Sequence, residues 1–328
     1  RRIPGSHPQI APPDPSAGPA AMTRAQRPLR FHGPDGLELT GVLWEAAQPA
    51  RPPELLFTGG NGFPVQAYAP ALAGLPPDVT VHGLNYRGHG GSAVPEHAED
   101  YGALVADLRA YVEQRMRPPV ILAGHSLGAI LALRLAAEAP ALAAGLLLLE
   151  PPLRLRRGEQ ASPELAEDLR AFIERARNRR DAWPAREEAA AWFAESLLYR
   201  SWDAGAREGF VAAGLLATPD GGVRLATPPW LEAALYEAVH REDLFELAAR
   251  APCAGVLLRG TESTAVQPAA LEEIADALPV GAVLPVPGTH TFPMEHPRET
   301  GQRMAAALRL LRGETGLALT GAPAGRTG

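Results

Sequence analysis

Apolar residues in this chain come in short runs separated by amphipathic stretches, and the spacing predicts alternating strands and helices. Residues 29–31 and 37–44 flank Pro34-Asp35-Gly36 and read as a hairpin. Residues 55–57 form a short buried strand that runs into Thr58-Gly59-Gly60-Asn61-Gly62, and a helix follows over 66–75. A strand over 79–84 precedes the glycine-rich stretch 87–91. A helix over 101–116 repeats through Leu104, Leu108 and Val112. Next come a strand over 120–123 and a helix opening at Leu127, with Leu127, Ile130, Leu131 and Leu135 on one face. The longest apolar run, 141–149, is fenced by Pro140 and Glu150. It is far shorter than the roughly 20 residues of a membrane span and suits a buried parallel strand over 145–149.

The alternation stops at Pro151, and residues 151–250 carry helical periodicity with no clear strand. It resumes as a strand over 255–259, a helix over 268–278, a strand over 282–285 and a helix over 298–311. Short alternating strands and helices require a parallel, doubly wound sheet. The expected organisation is an α/β core of residues 29–150 and 251–312, a helical lid over 151–250, a disordered extension over 1–28 and a flexible tail over 313–328. Prolines crowd the first 21 residues, and no apolar stretch follows Arg1-Arg2, so no signal peptide is read there; Met22 is a candidate start. No internal repeat is visible.

Composition narrows the classes. Of the 328 residues 46% are apolar and 21% charged, which suits a globule with a sizeable core. The formal charge is −6 and no long basic run occurs, which argues against nucleic-acid binding. All 31 basic residues are arginine. Cys253 stands alone, so no intramolecular disulfide and no cysteine-based zinc site can form, and a cytoplasmic location is expected. Neither metal nor cofactor is expected; the glycine-rich loops match no dinucleotide fingerprint, and a P-loop would need a lysine that the chain lacks.

The strongest chemical signal is Gly124-His125-Ser126-Leu127-Gly128, set between an apolar strand and an amphipathic helix. That is the context of a nucleophile elbow, where a sharp turn needs small residues two before and two after the serine. A serine alcohol is a weak nucleophile and needs a base. His290 closes Val286-Pro287-Gly288-Thr289-His290 after a predicted strand, late in the chain, and is the candidate; His296 is a distant second, and His89 and His125 read as packing or hydrogen-bonding residues. The acid should end a strand between the two. Glu150 is preferred and Glu262, in Gly260-Thr261-Glu262-Ser263, is the alternative. For an oxyanion hole, the amide of Leu127 supplies one donor and the loop after residue 57 the other, with Asn61 the candidate.

Four motifs occur in order: Gly59-Gly60-Asn61-Gly62-Phe63-Pro64, Asn85-Tyr86-Arg87-Gly88-His89-Gly90-Gly91-Ser92, the elbow, and Gly288-Thr289-His290-Thr291-Phe292-Pro293-Met294-Glu295. Together they resemble the α/β-hydrolase superfamily from Leu29 to Gly313. The resemblance implies a mostly parallel sheet of about eight strands with a helical lid. The chain departs from the family where histidine usually stands (Gly59) and where aspartate often does (Asn85). It departs again three residues after Gly260, where the family's acid commonly lies and this chain has Ser263.

Serine at 126 argues against chemistry that needs a carboxylate nucleophile and points to an acyl-enzyme route. The expected activity is hydrolysis of a carboxylic ester, or of a thioester, amide or lactone. The alternatives are acyl transfer or cofactor-free haloperoxidase activity on the same triad, or a non-catalytic binding protein. Four of the five tryptophans (Trp183, Trp192, Trp202 and Trp230) fall in the insertion and read mainly as a small helical core, with an apolar acyl pocket beneath a lid. Its arginines, among them Arg154, Arg175 and Arg179, read as a solvated face or, in the minority reading, as an anchor for an acidic group. A small apolar acyl compound is the expected partner.

Overall fold

A computed structural model describes residues 24–97 and 101–314. Eleven strands occur among them: β1 (Gln26–His32), β2 (Glu38–Trp44), β3 (Leu55–Thr58), β4 (Val81–Leu84), β5 (Val120–His125), β6 (Ala143–Leu149), β7 (Ala182–Trp183), β8 (Leu215–Ala217), β9 (Val223–Leu225), β10 (Gly255–Gly260) and β11 (Gly281–Val286). The α-helices are α1 (Ala69–Leu72), α2 (Tyr101–Arg115), α3 (Leu127–Glu138), α4 (Pro163–Arg177), α5 (Arg186–Glu195), α6 (Ala204–Ala213), α7 (Pro229–Ala238), α8 (Leu244–Arg250), α9 (Pro268–Ala277), α10 (Phe292–Glu295) and α11 (Pro297–Leu311).

Eight strands form one sheet in the order β1-β2-β4-β3-β5-β6-β10-β11. Only the β1–β2 and β2–β4 pairings are antiparallel, so β2 alone runs against the rest. This is the mostly parallel, doubly wound sheet expected above. Its central strands are buried on both faces, which is why they read as continuous apolar runs. In β6, Leu146 and Leu148 join the core on one face of the sheet, and Leu147 and Leu149 join the core on the other. β5 divides in the same way, Leu122 to the first face and Ile121 and Ala123 to the second.

Three readings need correction. Among the described residues the first strand opens at Gln26, so the last three residues assigned to the extension belong to the sheet; residues 1–23 lie outside the described part. The helix expected over 66–75 is a 3-10 turn (Val65–Tyr68) followed by the single turn of α1, because Pro70 interrupts the run and removes a helical donor. The insertion also holds a small antiparallel sheet, β7-β9-β8, whose strands of two or three residues are too short to show any period. Of the tail read as flexible, Gly313 and Glu314 are described: the amide of Glu314 donates to the Arg309 carbonyl at 2.9 Å and its carboxylate pairs with Arg51 at 3.2 Å. Residues 315–328 lie outside the described part.

Five aromatic residues of the insertion form one cluster, apart from the Phe172–Tyr236 pair. Trp183, Phe193, Tyr199, Trp202 and Phe210 are buried together, and Phe63 from the loop after β3 packs edge-on against Trp202 at 5.2 Å. Helix α4 is different. Ser162 caps it by accepting from the Leu165 amide at 3.2 Å, Pro163 opens it, and Arg175 and Arg177 sit at the favourable C-terminal end. Leu165, Leu169, Phe172, Ile173 and Ala176 share one helical face, yet only Ala176 is buried. Among the described residues no helix is long and apolar enough to cross a membrane.

Candidate active site

The strands β5, β6 and β10 and the loop after β11 bring their carboxyl ends together, and the predicted groups meet there. Ser126 follows β5 with φ 54° and ψ −117°, a conformation that ordinary residues adopt only when the surroundings hold them. What holds it is backbone crowding. A Cβ on Gly124 would lie 2.3 Å from the Gly128 carbonyl carbon, and one on Gly128 would lie 2.5 Å from the Thr58 carbonyl oxygen. Both glycines let β5, α3 and the β3 loop approach closely, and the hydroxyl is pushed out at the sheet edge.

His290 Nε2 lies 3.0 Å from Ser126 Oγ, and its Nδ1 lies 2.7 Å from Glu150 Oε2. Glu150 is fully buried at the end of β6 and also adopts a positive φ, 45°. Its carboxylate accepts from the Gly260 amide at 2.8 Å (Oε1) and from the Ser263 hydroxyl at 2.7 Å (Oε2). With these acceptors filled by donors, Nδ1 of His290 must present its hydrogen to Oε2. Nε2 is then left to accept from the serine. Glu262 is exposed, and its amide donates to the Gly288 carbonyl at 2.9 Å; the carboxylate on the imidazole is Glu150. His296 caps the C-terminal end of α10, and the imidazole on Ser126 is that of His290.

Neither the amide of Asn61 nor that of Leu127 has a hydrogen-bond acceptor among the described residues. The Asn61 side-chain amide donates to the Glu232 carbonyl at 2.8 Å, while its Oδ1 is buried without a partner and can only accept; the donor that Asn61 offers a carbonyl oxygen is therefore its main-chain N–H. Two buried histidines fix this loop. His89 accepts from the Gly62 amide at 2.9 Å through Nε2 and donates from Nδ1 to the Arg87 carbonyl at 3.1 Å; burial lowers its pKa to about 3. Tyr68 accepts from the Gly60 amide at 2.9 Å and donates to His125 Nδ1 at 2.7 Å. His125 Nε2 then donates to the His290 carbonyl at 2.9 Å, and burial holds its pKa well below the usual histidine range. One chain of hydrogen bonds therefore joins the β3 loop, the elbow and the backbone of His290. The histidine loop is braced further by Glu295, which accepts from the Thr289 amide at 2.7 Å and from the Thr291 hydroxyl at 3.0 Å.

The sequence reading missed Tyr68 and the role of Ser263. Tyr68 lies in a stretch read as plain helix, and nothing local marks its hydroxyl. Ser263 was visible as a departure, three residues after Gly260, but its partnership with Glu150 depends on β6 lying next to β10.

A cavity of about 740 Å³ opens over Ser126 and His290. Its walls are mostly apolar, from α4 on one side and Pro152, Leu153 and Leu244 on another. Arg179 and Glu232 lie in its wall as a pair at 2.8 Å, with Tyr199 accepting from Arg179 at 2.8 Å. Burial raises the Glu232 pKa, and Arg179 opposes the rise. No cluster of potential metal ligands occurs among the described residues.

The model of the alpha/beta hydrolase family matches residues 55–303. No curated protein matches the chain. Among solved structures, E-2-(acetamidomethylene)succinate hydrolase is 22% identical with a TM-score of 0.72, over 87% of this chain and 99% of that one. The thioesterase domain from the curacin biosynthetic pathway is 18% identical with a TM-score of 0.65, over 88% and 99%. A thermophilic esterase from Thermogutta terrifontis is 21% identical with a TM-score of 0.62, over 87% and 99%. At these identities the likeness is one of fold.

Proposed function

Because this chain belongs to the alpha/beta hydrolase family, we propose that it is a serine hydrolase of carboxylic esters, including thioesters, working through an acyl-enzyme. The observation that carries this reading is the line from Ser126 Oγ through His290 to Glu150, with contacts of 3.0 Å and 2.7 Å. His290 takes the Ser126 proton as the hydroxyl attacks the substrate carbonyl. The amides of Asn61 and Leu127 receive the negative charge that forms on the carbonyl oxygen. The intermediate collapses, the leaving group departs with the proton from His290, and Ser126 stays acylated. Water, deprotonated by the same imidazole, then releases the acid and restores the hydroxyl. Glu150 holds the imidazole tautomer and stabilises its protonated form. The insertion over 151–250 acts as a lid that supplies the apolar acyl wall.

A fluorophosphonate probe tests the reading directly. The expected outcome is covalent labelling of the native protein, absent in Ser126→Ala, together with turnover of p-nitrophenyl esters. A folded protein that neither labels nor turns over such an ester overturns it in favour of a binding role.

A further inference from the structure

Two cavities adjoin beneath the insertion. The larger contains Ser126 and His290, and the apolar face of α4 forms one of its walls. From Leu165 to Ala176 this face runs about 16 Å along the helix axis. Its side chains meet open space where a helix of this pattern normally meets a protein core. The second cavity is an open groove of about 300 Å³ that shares Leu153, Leu155, Glu242 and Leu244 with the first. Arg156, Arg157 and Arg241 line it, and Arg154 lies in the adjoining wall of the larger cavity.

The charges there do not cancel. Arg156 pairs with Glu273. Glu242 is held by Arg134 at 2.8 Å, and Asp243 accepts the amides of Phe245 and Glu246 at the start of α8. Arg154, Arg157 and Arg241 are exposed and have no carboxylate partner among the described residues. The two linings hold six guanidiniums against four carboxylates, those of Glu232, Glu242, Asp243 and the exposed Glu262, so in a chain of formal charge −6 the edge of the apolar cavity carries a local field of the opposite sign. Guanidinium groups present paired N–H donors that match phosphate and carboxylate.

We propose that the site takes an anionic amphiphile: an acyl compound whose apolar part lies along α4 and whose phosphate or carboxylate lies among Arg154, Arg157 and Arg241. The proposal rests on the hydrolase reading and names the substrate class for it. The anion belongs either to the leaving group or to the far end of the acyl chain.

Matched pairs of substrates test this and separate the two sources. Octanoyl-coenzyme A against octanoyl-N-acetylcysteamine places phosphate on the leaving group or removes it. Mono-p-nitrophenyl suberate against p-nitrophenyl octanoate places a carboxylate on the acyl end or removes it. The expected result is at least about tenfold higher kcat/KM for the anionic member of one pair, shrinking in about 0.5 M salt as screening shortens to a few ångströms. Each exposed guanidinium contact contributes up to about fivefold, so the Arg157→Gln/Arg241→Gln protein should lose most of that preference. Arg309→Gln, on the remote exposed face of α11, should keep it. Calorimetry of the same pairs on Ser126→Ala reads the preference without turnover. Equal values within both pairs, or a preference indifferent to salt and to the two arginines, overturns the proposal. If the neutral esters still turn over in that event, the hydrolase reading survives; if no ester turns over and no probe labels Ser126, that reading falls, and the calorimetry still decides the charge preference.

Discussion

Replacing Glu150 by glutamine keeps the size of the side chain and inverts half of its chemistry. The carboxylate now accepts three hydrogen bonds, from His290 Nδ1, the Gly260 amide and the Ser263 hydroxyl, at 2.7, 2.8 and 2.7 Å. A glutamine offers one oxygen and one NH2. If its oxygen faces Gly260, the NH2 faces His290 and drives the hydrogen onto Nε2, where it can no longer accept from Ser126. If the oxygen faces His290, a donor opposes the buried Gly260 amide, which is left unsatisfied at a cost of about 1–3 kcal/mol. The first arrangement avoids that cost, so the wrong tautomer should dominate. Loss of the correct tautomer lowers kcat by about 10³ to 10⁴, equivalent to about 4–5.5 kcal/mol in the barrier. The assay is steady-state hydrolysis of a short p-nitrophenyl ester by Glu150→Gln and Glu262→Gln, with circular dichroism to verify folding. Glu262→Gln should stay within about threefold of the parent, since its side chain is exposed. A folded Glu150→Gln that loses less than about tenfold, or a larger loss in Glu262→Gln, refutes the assignment.

Three further outcomes follow from the geometry. Ser263→Ala removes one donor to the ionised Glu150 carboxylate and should lower kcat by about three- to thirtyfold with little change in KM; an unchanged kcat would mean that the hydroxyl does not position the acid. Gly124→Ala places a methyl 2.3 Å from the Gly128 carbonyl carbon, so a urea midpoint shift equivalent to about 3 kcal/mol or more is expected, and a stability within about 0.5 kcal/mol of the parent would contradict the crowding. His89 has a folded pKa of about 3, below the unfolded value of about 6.5, so the unfolded chain binds the extra proton. Its contribution is fully present above about pH 6.5 and is lost on acidification, by about 2 kcal/mol at pH 5. His125 adds in the same direction and Glu232, whose pKa is raised, opposes both. Urea unfolding of the parent and of His89→Gln at pH 7 and pH 5 measures the difference, and an acid sensitivity equal in both proteins would exclude His89 as its source.

Strand positions were legible because the central strands are buried on both faces and stand out as apolar runs between turns. The elbow was legible because crowding forces Gly124 and Gly128, and that need is written locally. The pieces that were hidden depend on neighbours distant in sequence. The strands β7 to β9 are too short to carry a period. Tyr68 is defined only by where His125 lies, 57 residues on. Choosing between Glu150 and Glu262 required knowing that β6 ends with its next residue turned toward the imidazole, which a positive φ at a glutamate achieves and which no composition signals.

The segment that leaves Glu150 is stiff. Pro151 and Pro152 follow the acid at once, and Leu153 is then clamped to the β10–α9 connection, donating to the Ala265 carbonyl at 3.2 Å and accepting from the Gln267 amide at 2.7 Å. Chimeras that exchange cover segments between members of such a fold should therefore place their upstream junction after Leu153. A graft made there inherits a rigid post already anchored to the sheet, whereas one made at Pro151 would transmit every misfit of the new module straight to the carboxylate.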